Sequence, residues 1–290
     1  MKAIKSGALT APKEHVPLRK RFTTAGGALF CALVYLVMFL PIAVIGVNSF
    51  NASTSSPYLS WQGFSLRWYA ELFENETLLD AFGTTIVLAL AATAISVVLG
   101  TLAAVGMYRY RFRGKGLLNG LLLVPVVIPE IVIGISLLII FSRAGIPQGM
   151  FTLLIAHVTF CVPFVIFNVK ARFDGYDTSL EEASVDLGAS RLRTFFTITL
   201  PMLAPGITGG ALLAFSLSID DVIISYFVSG QTMTFPLLVY QSVRTGVKPD
   251  VNALSMLILL GTILIVFVSQ SGFIGKLAAK IATRRAMRKA

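Results

Sequence analysis

Charged residues are scarce in this chain. They make up 13% of its 290 residues, whereas hydrophobic residues make up 56% and the mean hydropathy is +0.81. That balance excludes a soluble globular domain. Cysteine and histidine are rarer still, with two of each. Cys31 and Cys161 lie in apolar runs, where we interpret them as small packing residues and not as a disulfide or metal pair. We expect His157 to be a hydrogen-bonded structural residue, because no acid or second histidine stands at metal-binding spacing from it.

Several catalytic signatures are absent as well. The chain has no G-x4-G-K-[ST] loop, because its two Gly-Lys pairs are followed by Gly and by Leu, so it cannot hydrolyse ATP by that route. The H-E-x-x-H and G-x-S-x-G patterns are also missing. Asp220 and Asp221 could suggest an intramembrane aspartyl protease, but adjacent residues on one backbone rarely face each other as a catalytic dyad must. We therefore expect no catalytic residue, metal or cofactor in this chain.

Apolar runs dominate what the chain does contain. A membrane-spanning helix needs about 20 apolar residues to cross about 30 Å of hydrocarbon. These runs predict an all-α integral membrane bundle of six transmembrane helices within residues 26–271, with a basic tail on each side, 1–25 and 272–290. The predicted spans are 26–49, 83–107, 117–141, 151–169, 204–226 and 252–271.

Lysine and arginine are distributed unevenly between the loops. The N-terminal tail, the second loop, the fourth loop and the C-terminal tail together hold 20 of the 24 basic residues, and the alternate loops hold only Arg67, Arg143, Arg244 and Lys248. Because positive residues favour the cytoplasmic side, this pattern predicts that both termini are cytoplasmic. The net charge of +10 then requires no nucleic-acid partner, since a basic surface beside an anionic bilayer accounts for it.

The segment EEASVDLGAS, Glu181 to Ser190, interrupts these apolar runs on the predicted cytoplasmic side. Ser179 and Glu182 have the spacing of a capping box, which predicts a short helix over about 179–188. Gly188 is where that helix should end, because glycine adopts the left-handed conformation without a steric penalty. Ser190 can then cap a second short helix that leads back to the bilayer. The alternative is a loop that merely lies on the membrane surface.

This segment resembles the EAA loop of permease subunits of bacterial ABC importers, whose pattern is E-A-A-x3-G-x9-I-x-L-P. Only the third position departs from the pattern, with serine in place of alanine. The resemblance implies that the loop contains a coupling helix, which docks on a separate cytoplasmic ATPase. The matching residues are Glu182, Ala183, Ser184, Gly188, Ile198, Leu200 and Pro201.

A more specific resemblance extends from about residue 60 to residue 271. The runs GFSLRWYAELF, AHVTFCVPFV, FSLSIDDVIISYFVSG and VYQSVRTGVKPDVNAL resemble the second, C-type permease of spermidine/putrescine importers. The resemblance implies the six-helix fold of type I ABC importer permeases in a bacterial inner membrane. It also implies a homologous second permease, two copies of an ATPase that binds ATP and Mg, a periplasmic substrate-binding protein and a polyamine substrate.

Three acids fall within the predicted spans: Glu130, Asp220 and Asp221. A carboxylate in hydrocarbon costs about 2.5–3.5 kcal/mol or more, so such residues usually face water or a partner charge. The chain has no basic residue in the middle of a span, so we expect the partner to be the substrate or another subunit. Adjacent residues point about 100° apart on a helix, so at least one aspartate should lie at a helix end or break. Pro129 likewise predicts a bend beside Glu130. The resemblance adds Ser218 and Trp68 to this predicted substrate path.

Two other functions remain open from the sequence. The chain could serve an ABC importer for another cationic or amino-acid-like solute. It could also be a secondary transporter, although such proteins usually show two repeated halves and no second half is visible here. A requirement for a separate ATPase would distinguish the two classes of transporter.

Overall fold

The computed structural model describes residues 18–53, 61–245 and 249–270, with side chains described for 26–53, 61–242 and 249–264. These ranges contain helices and no strand beyond one isolated bridge between Asn51 and Phe64. In chain order the helices are α1 Leu18–Ser49, α2 Arg67–Glu71, α3 Glu76–Arg109, α4 Lys115–Val127, α5 Glu130–Arg143, α6 Met150–Lys170, α7 Ser179–Asp186, α8 Arg191–Thr194, α9 Leu200–Ile219, α10 Ile223–Val228, α11 Phe235–Thr245 and α12 Pro249–Gln270. The fold is therefore all-α, as the sequence predicts.

Four helical stretches in the described residues are long and apolar enough to cross a bilayer: 26–49, 76–109, 150–173 and 191–219. The predicted first, second and fourth spans lie in α1, α3 and α6. The predicted sixth span coincides with α12, whose described apolar part covers 249–264. Helix α1 begins inside the predicted tail 1–25, and the tail 272–290 lies outside the described residues. The six-span count and the cytoplasmic termini stay predictions.

The other two predicted spans are each interrupted, at the bend and at the break that the sequence predicts for them. The stretch 117–141 is divided into α4 and α5, which are bent by 109° relative to each other. Pro129 stands at this bend, as expected of a residue that has no amide hydrogen and restricts the residue before it. The stretch 204–226 is likewise broken, because α9 ends at Ile219 and α10 begins at Ile223. The prediction that the adjacent aspartates lie at a helix break is confirmed.

Helices α3, α6 and α9 pack against one another and form the centre of the bundle. Small residues make this possible, since helices in a membrane associate mainly through close backbone approach. Gly100 on α3 and Gly206 and Gly210 on α9 all lie against α6, and a side chain at any of the three would contact α6 at less than 3.4 Å. Cys161 is buried among these helices, as predicted, whereas Cys31 on α1 is exposed in the part of the chain that the structure describes.

Gly206→Ala tests this close approach. A β-carbon at Gly206 would lie 2.8 Å from the carbonyl oxygen of Asn168, a backbone atom that cannot swing aside. Overpacking of this kind costs about 1–3 kcal/mol, so we expect a lower thermal unfolding midpoint. Gly209→Ala is the matched control, because its β-carbon would meet only the Asn168 side chain, at 3.5 Å. Equal midpoints for the two variants would contradict this account of the helix interface.

Candidate functional site

A cavity of about 430 Å³ lies beside the break between α9 and α10. Its walls come from α3, α11, α12 and the break itself. The walls are largely apolar, and the aromatic side chains among them are Phe82, Phe235 and Tyr240. Asp220 is the only charged residue among the described residues that line the cavity. One carboxylate therefore faces a largely apolar cavity. Such a site suits an organic cation whose charged group is attached to a hydrocarbon chain.

Asp221 is oriented differently from its neighbour. Its side chain is buried, and it accepts hydrogen bonds from the backbone amides of Ile224 (3.2 Å) and Ser225 (2.8 Å) and from the Ser225 hydroxyl (2.7 Å). These amides belong to the first turn of α10, whose leading N–H groups have no partner within the helix. Asp221 therefore accepts hydrogen bonds from the otherwise unpaired amides at the start of α10. The sequence did not suggest this role.

His157 on α6 completes this buried cluster. Its Nδ1 lies 2.7 Å from the Ser218 hydroxyl, its Nε2 lies 3.0 Å from the Ser225 hydroxyl, and Nε2 is 3.5 Å from an Asp221 carboxylate oxygen. The prediction of a hydrogen-bonded histidine is confirmed. The expectation that a partner for Asp221 must come from outside the chain is wrong, because folding brings His157 to it from 64 positions earlier in the sequence.

The other predicted path residues occupy three different places. Glu130 is the first residue of α5 and is half-buried. Ser218 is buried against His157. Trp68 is buried in α2, where its indole N–H donates to the Asn51 carbonyl at 2.6 Å, and it does not line the cavity. A substrate contact by any of these residues stays a prediction.

The predicted coupling segment folds as α7, a turn and α8. Helix α7 ends in a paired hydrogen-bond motif, with Gly188 N–H donating to Val185 O at 2.8 Å and Ala189 N–H to Ser184 O at 3.0 Å. Gly188 has φ of +86°, the left-handed conformation predicted for it. The Ser190 hydroxyl accepts from the Arg193 amide at 3.3 Å, so the predicted cap of α8 is also confirmed.

The predicted capping box at the start of α7 is wrong. Helix α7 does begin at Ser179, but Thr178 is its N-cap residue and its side chain makes no capping bond. Asp177 satisfies the Ser179 amide instead, at 2.9 Å, in a local turn that the sequence analysis missed. These hydrogen bonds to Ser179 hold the pKa of the exposed Asp177 carboxyl below its usual value.

The remaining motif residues lie along the loop and its return to the bilayer. Glu182 and Ala183 are exposed on α7, and the Ser184 hydroxyl lies 3.0 Å from that of Thr194, which joins α7 to α8. Ile198 is half-buried in a π-helical turn, Phe195–Thr199, and Leu200 and Pro201 begin α9. Serine in place of alanine at the third motif position therefore adds a contact between the two short helices.

Glu181, outside the motif, is the most connected residue of α7. Arg109 at the end of α3 donates to its two carboxylate oxygens at 2.6 and 2.8 Å, and the Tyr176 and Thr199 hydroxyls donate to it as well. Arg109 also donates to Thr199 at 3.0 Å, so the cluster joins α3, α7 and the π-helical turn. Burial raises the pKa of Glu181, but the hydrogen bonds and the Arg109 charge lower it by more, so the pKa lies below its ordinary value.

Glu181→Gln is expected to loosen α7. The variant loses the charge that faces Arg109, and a hydrogen bond to a charged group is worth about 1.5–3 kcal/mol. We expect hydrogen–deuterium exchange of the α7 amides to accelerate roughly tenfold, because local opening exposes them. In the parent, the carboxylate's contribution persists above the ordinary glutamate pKa of about 4.3 and disappears as the pH falls through the lower folded value. Asp186→Asn, at an exposed position of the same helix, is the control, and equal exchange in both variants would contradict a tether through Glu181.

Residues 96–285 match the family described as binding-protein-dependent transport system inner membrane component. The chain is 41% identical over 242 residues to the spermidine/putrescine transport system permease protein PotC of Escherichia coli, covering 83% of this chain and 91% of that protein. It is 42% identical over 235 residues to the putrescine transport system permease protein PotI of the same species, covering 78% and 83%.

Solved structures with the same fold are more distant in sequence. A bacterial ABC transporter involved in the import of alginate aligns with a TM-score of 0.72 at 17% identity, covering 90% of this chain and all of that chain. The MetNI methionine ABC transporter aligns with a TM-score of 0.51 at 18% identity, covering 68% and 95%. At these identities the likeness concerns the fold alone.

Proposed function

Since this chain belongs to the family of binding-protein-dependent transport system inner membrane components, we propose that it is a permease subunit of an ATP-driven importer of polyamines in a bacterial inner membrane. Relatives named for spermidine and putrescine transport are identical to it at about two fifths of the aligned positions. The observation that carries the proposal is the cavity beside the α9–α10 break, with Asp220 as the sole charged residue of its described lining.

The chemistry of this cavity matches an alkylammonium ion. A carboxylate among apolar walls lacks the hydration it would have in water, and an ammonium group restores that stabilisation through charge-assisted hydrogen bonds. The methylene chain between two ammonium groups gains about 0.8 kcal/mol for each CH₂ removed from water. Phe82 and Tyr240 line the same cavity, and aromatic rings of this kind can attract a cation. An anionic substrate such as a polysaccharide acid would gain none of these contacts.

We propose that the α7–α8 loop docks on a cytoplasmic ATPase, where ATP and Mg bind. Leu180 on α7 and Leu187 directly after it are exposed, and Leu187 is 89% exposed, which leaves apolar surface for a partner. A groove of about 430 Å³ beside them is lined by both basic and acidic side chains, including Arg109, Glu182 and Arg191. A second, homologous permease would complete the path, two ATPase copies would dock on the two loops, and a periplasmic binding protein would deliver the substrate. ATP and the loaded binding protein would each favour the outward-facing state by making contacts only there.

Uptake into proteoliposomes tests the proposal. The assembled complex would be reconstituted with ATP inside and loaded binding protein outside, and accumulation of radiolabelled putrescine and spermidine would be followed. We expect uptake that stops when ATP is omitted. Uptake driven by an ion gradient alone would indicate a secondary transporter. Failure of polyamines in an ATPase-competent complex that imports another cationic or amino-acid-like solute would overturn the substrate but not the class of transporter.

A further inference from the structure

His157 is a buried imidazole in the middle of a membrane helix, and the proposed transport step gives it no role. It is 2% exposed, and it contacts residues on both sides of the α9–α10 break. Ser218 lies in the last turn of α9, and Ser225 lies in the first turn of α10. One side chain on α6 therefore joins the two helix ends that the break separates.

The directions of these hydrogen bonds follow from the donors available. An ionised Asp221 carboxylate only accepts, so the Ser225 hydroxyl donates its single proton to it, at 2.7 Å. The Ser225 oxygen must then accept from His157 Nε2–H, at 3.0 Å. In the neutral imidazole this leaves Nδ1 to accept from the Ser218 hydroxyl, at 2.7 Å. The result is a chain of three hydrogen bonds that runs from α9 through α6 to α10, with every proton used once.

The chain of hydrogen bonds fixes which way Asp221 faces. Its carboxylate is held by Ser225 and by the two amides of α10, and it lies 3.5 Å from His157 Nε2. Side chains of adjacent residues point in different directions, so turning Asp221 into the protein turns Asp220 outward. The exposures agree with this, because Asp220 is exposed on the cavity wall and Asp221 is 8% exposed.

We infer that His157 is a positioning residue for alkylammonium binding: by holding both ends of the broken helix and the buried Asp221, it keeps the Asp220 carboxylate in the cavity. This inference rests on the proposed function for its substrate, but the geometry of the break can be tested without one. Loss of the imidazole therefore disturbs the site without removing any group that touches the substrate.

Thiol labelling tests the geometry without substrate. Val222 lines the cavity, and Cys31 and Cys161 are the only native cysteines, so Cys31→Ser and Cys161→Ala give a background for Val222→Cys. In the assembled complex, a small cationic thiol reagent should label Val222→Cys about tenfold faster when His157→Ala is added, because the break opens more often. A labelling rate unchanged within twofold would overturn the inference.

Uptake by the assembled complex tests the consequence for transport. We expect His157→Ala to lower the maximal rate of polyamine uptake about tenfold. The concentration of loaded binding protein that gives half-maximal uptake should not change, since His157 is buried and does not form part of the surface. Cys161→Ala is the matched control, because this buried residue also joins α6 to α9, through its hydrogen bond to the Ala214 carbonyl oxygen and not through the hydrogen bonds of His157. Equal losses in both variants would mean that His157 only fills space.

A double variant separates support of Asp221 from packing. If His157 acts by supporting the Asp221 carboxylate, His157→Ala combined with Asp221→Asn should transport no worse than Asp221→Asn alone, because the unsupported charge is gone. Additive losses would overturn the inference. If the parent complex accumulates no polyamine, the proposed function fails, while the labelling rates still decide whether His157 holds the break.

Discussion

Asp220→Asn is expected to reduce polyamine uptake by about 10- to 100-fold. A hydrogen bond to a charged group contributes about 1.5–3 kcal/mol, and each 1.4 kcal/mol corresponds to a factor of ten. Asparagine has nearly the same shape, so the cavity keeps its volume and loses only its charge. The other described lining residues are uncharged and cannot replace the carboxylate. Uptake by the reconstituted complex, measured at saturating loaded binding protein, gives the effect directly.

Two observations would make this result specific. ATP hydrolysis by the Asp220→Asn complex should remain within about twofold of the parent, because the variant leaves the α7–α8 loop unchanged. Asp80→Asn, an exposed position near the start of α3 that does not line the cavity, should transport as the parent does. Parent-like uptake by Asp220→Asn would show that this carboxylate does not bind the substrate.

Gly188→Val should uncouple ATP hydrolysis from uptake, or prevent the ATPase from co-purifying. A β-carbon at this position would meet nothing within 4 Å, so the effect comes from the backbone and not from a clash with neighbours. At φ of +86° a β-branched residue is strained, and such strain costs about 1–3 kcal/mol. The paired hydrogen bonds that end α7 would be lost, and α8 would change direction. We expect at least a tenfold fall in substrate imported for each ATP hydrolysed.

Gly188→Asn is the matched control for this variant. Asparagine tolerates the left-handed conformation far better than valine, although both add a side chain at the same place. The asparagine variant should therefore retain most of the coupling. If valine and asparagine lower the ratio of uptake to hydrolysis equally, added bulk on the docking surface is responsible, and backbone strain is not.

The sequence predicts those features that depend on neighbouring residues. Gly188 as the end of α7, Ser190 as the cap of α8, and the bend at Pro129 all follow from local backbone preferences, and all are confirmed. The break at Asp220 and Asp221 follows from the cost of placing two adjacent charges on one membrane helix. The family resemblance is confirmed by the match over residues 96–285.

Features that depend on distant residues could not be predicted. Asp221 meets His157, and Glu181 meets Arg109, only after helices far apart in the chain pack together. Hydropathy alone did not divide the apolar runs 117–141 and 204–226, because it does not distinguish one straight helix from two short ones; only Pro129 and the adjacent aspartates indicated the breaks. The capping-box prediction was wrong for a local reason. The Ser179 amide donates to the Asp177 carboxylate, whereas a capping box would require it to donate to Glu182.

The depth of the cavity has a consequence for the energy of a multiply charged solute. The break lies at the level of His157, the eighth of the 21 residues of α6, so it is about 10 Å from one end of that helix and about 20 Å from the end near α7. One charge that crosses a membrane potential of 100 mV changes in energy by about 2.3 kcal/mol. Consider a dication that enters at the nearer end of α6, with the potential negative at the end near α7. The potential contributes about 1.5 kcal/mol by the time the dication reaches the level of Asp220, and about 3 kcal/mol over the remaining distance. For the proposed polyamine substrate, a potential of this sign favours movement at both stages, and it opposes return most over the longer stage, between the cavity and the end of α6 near α7.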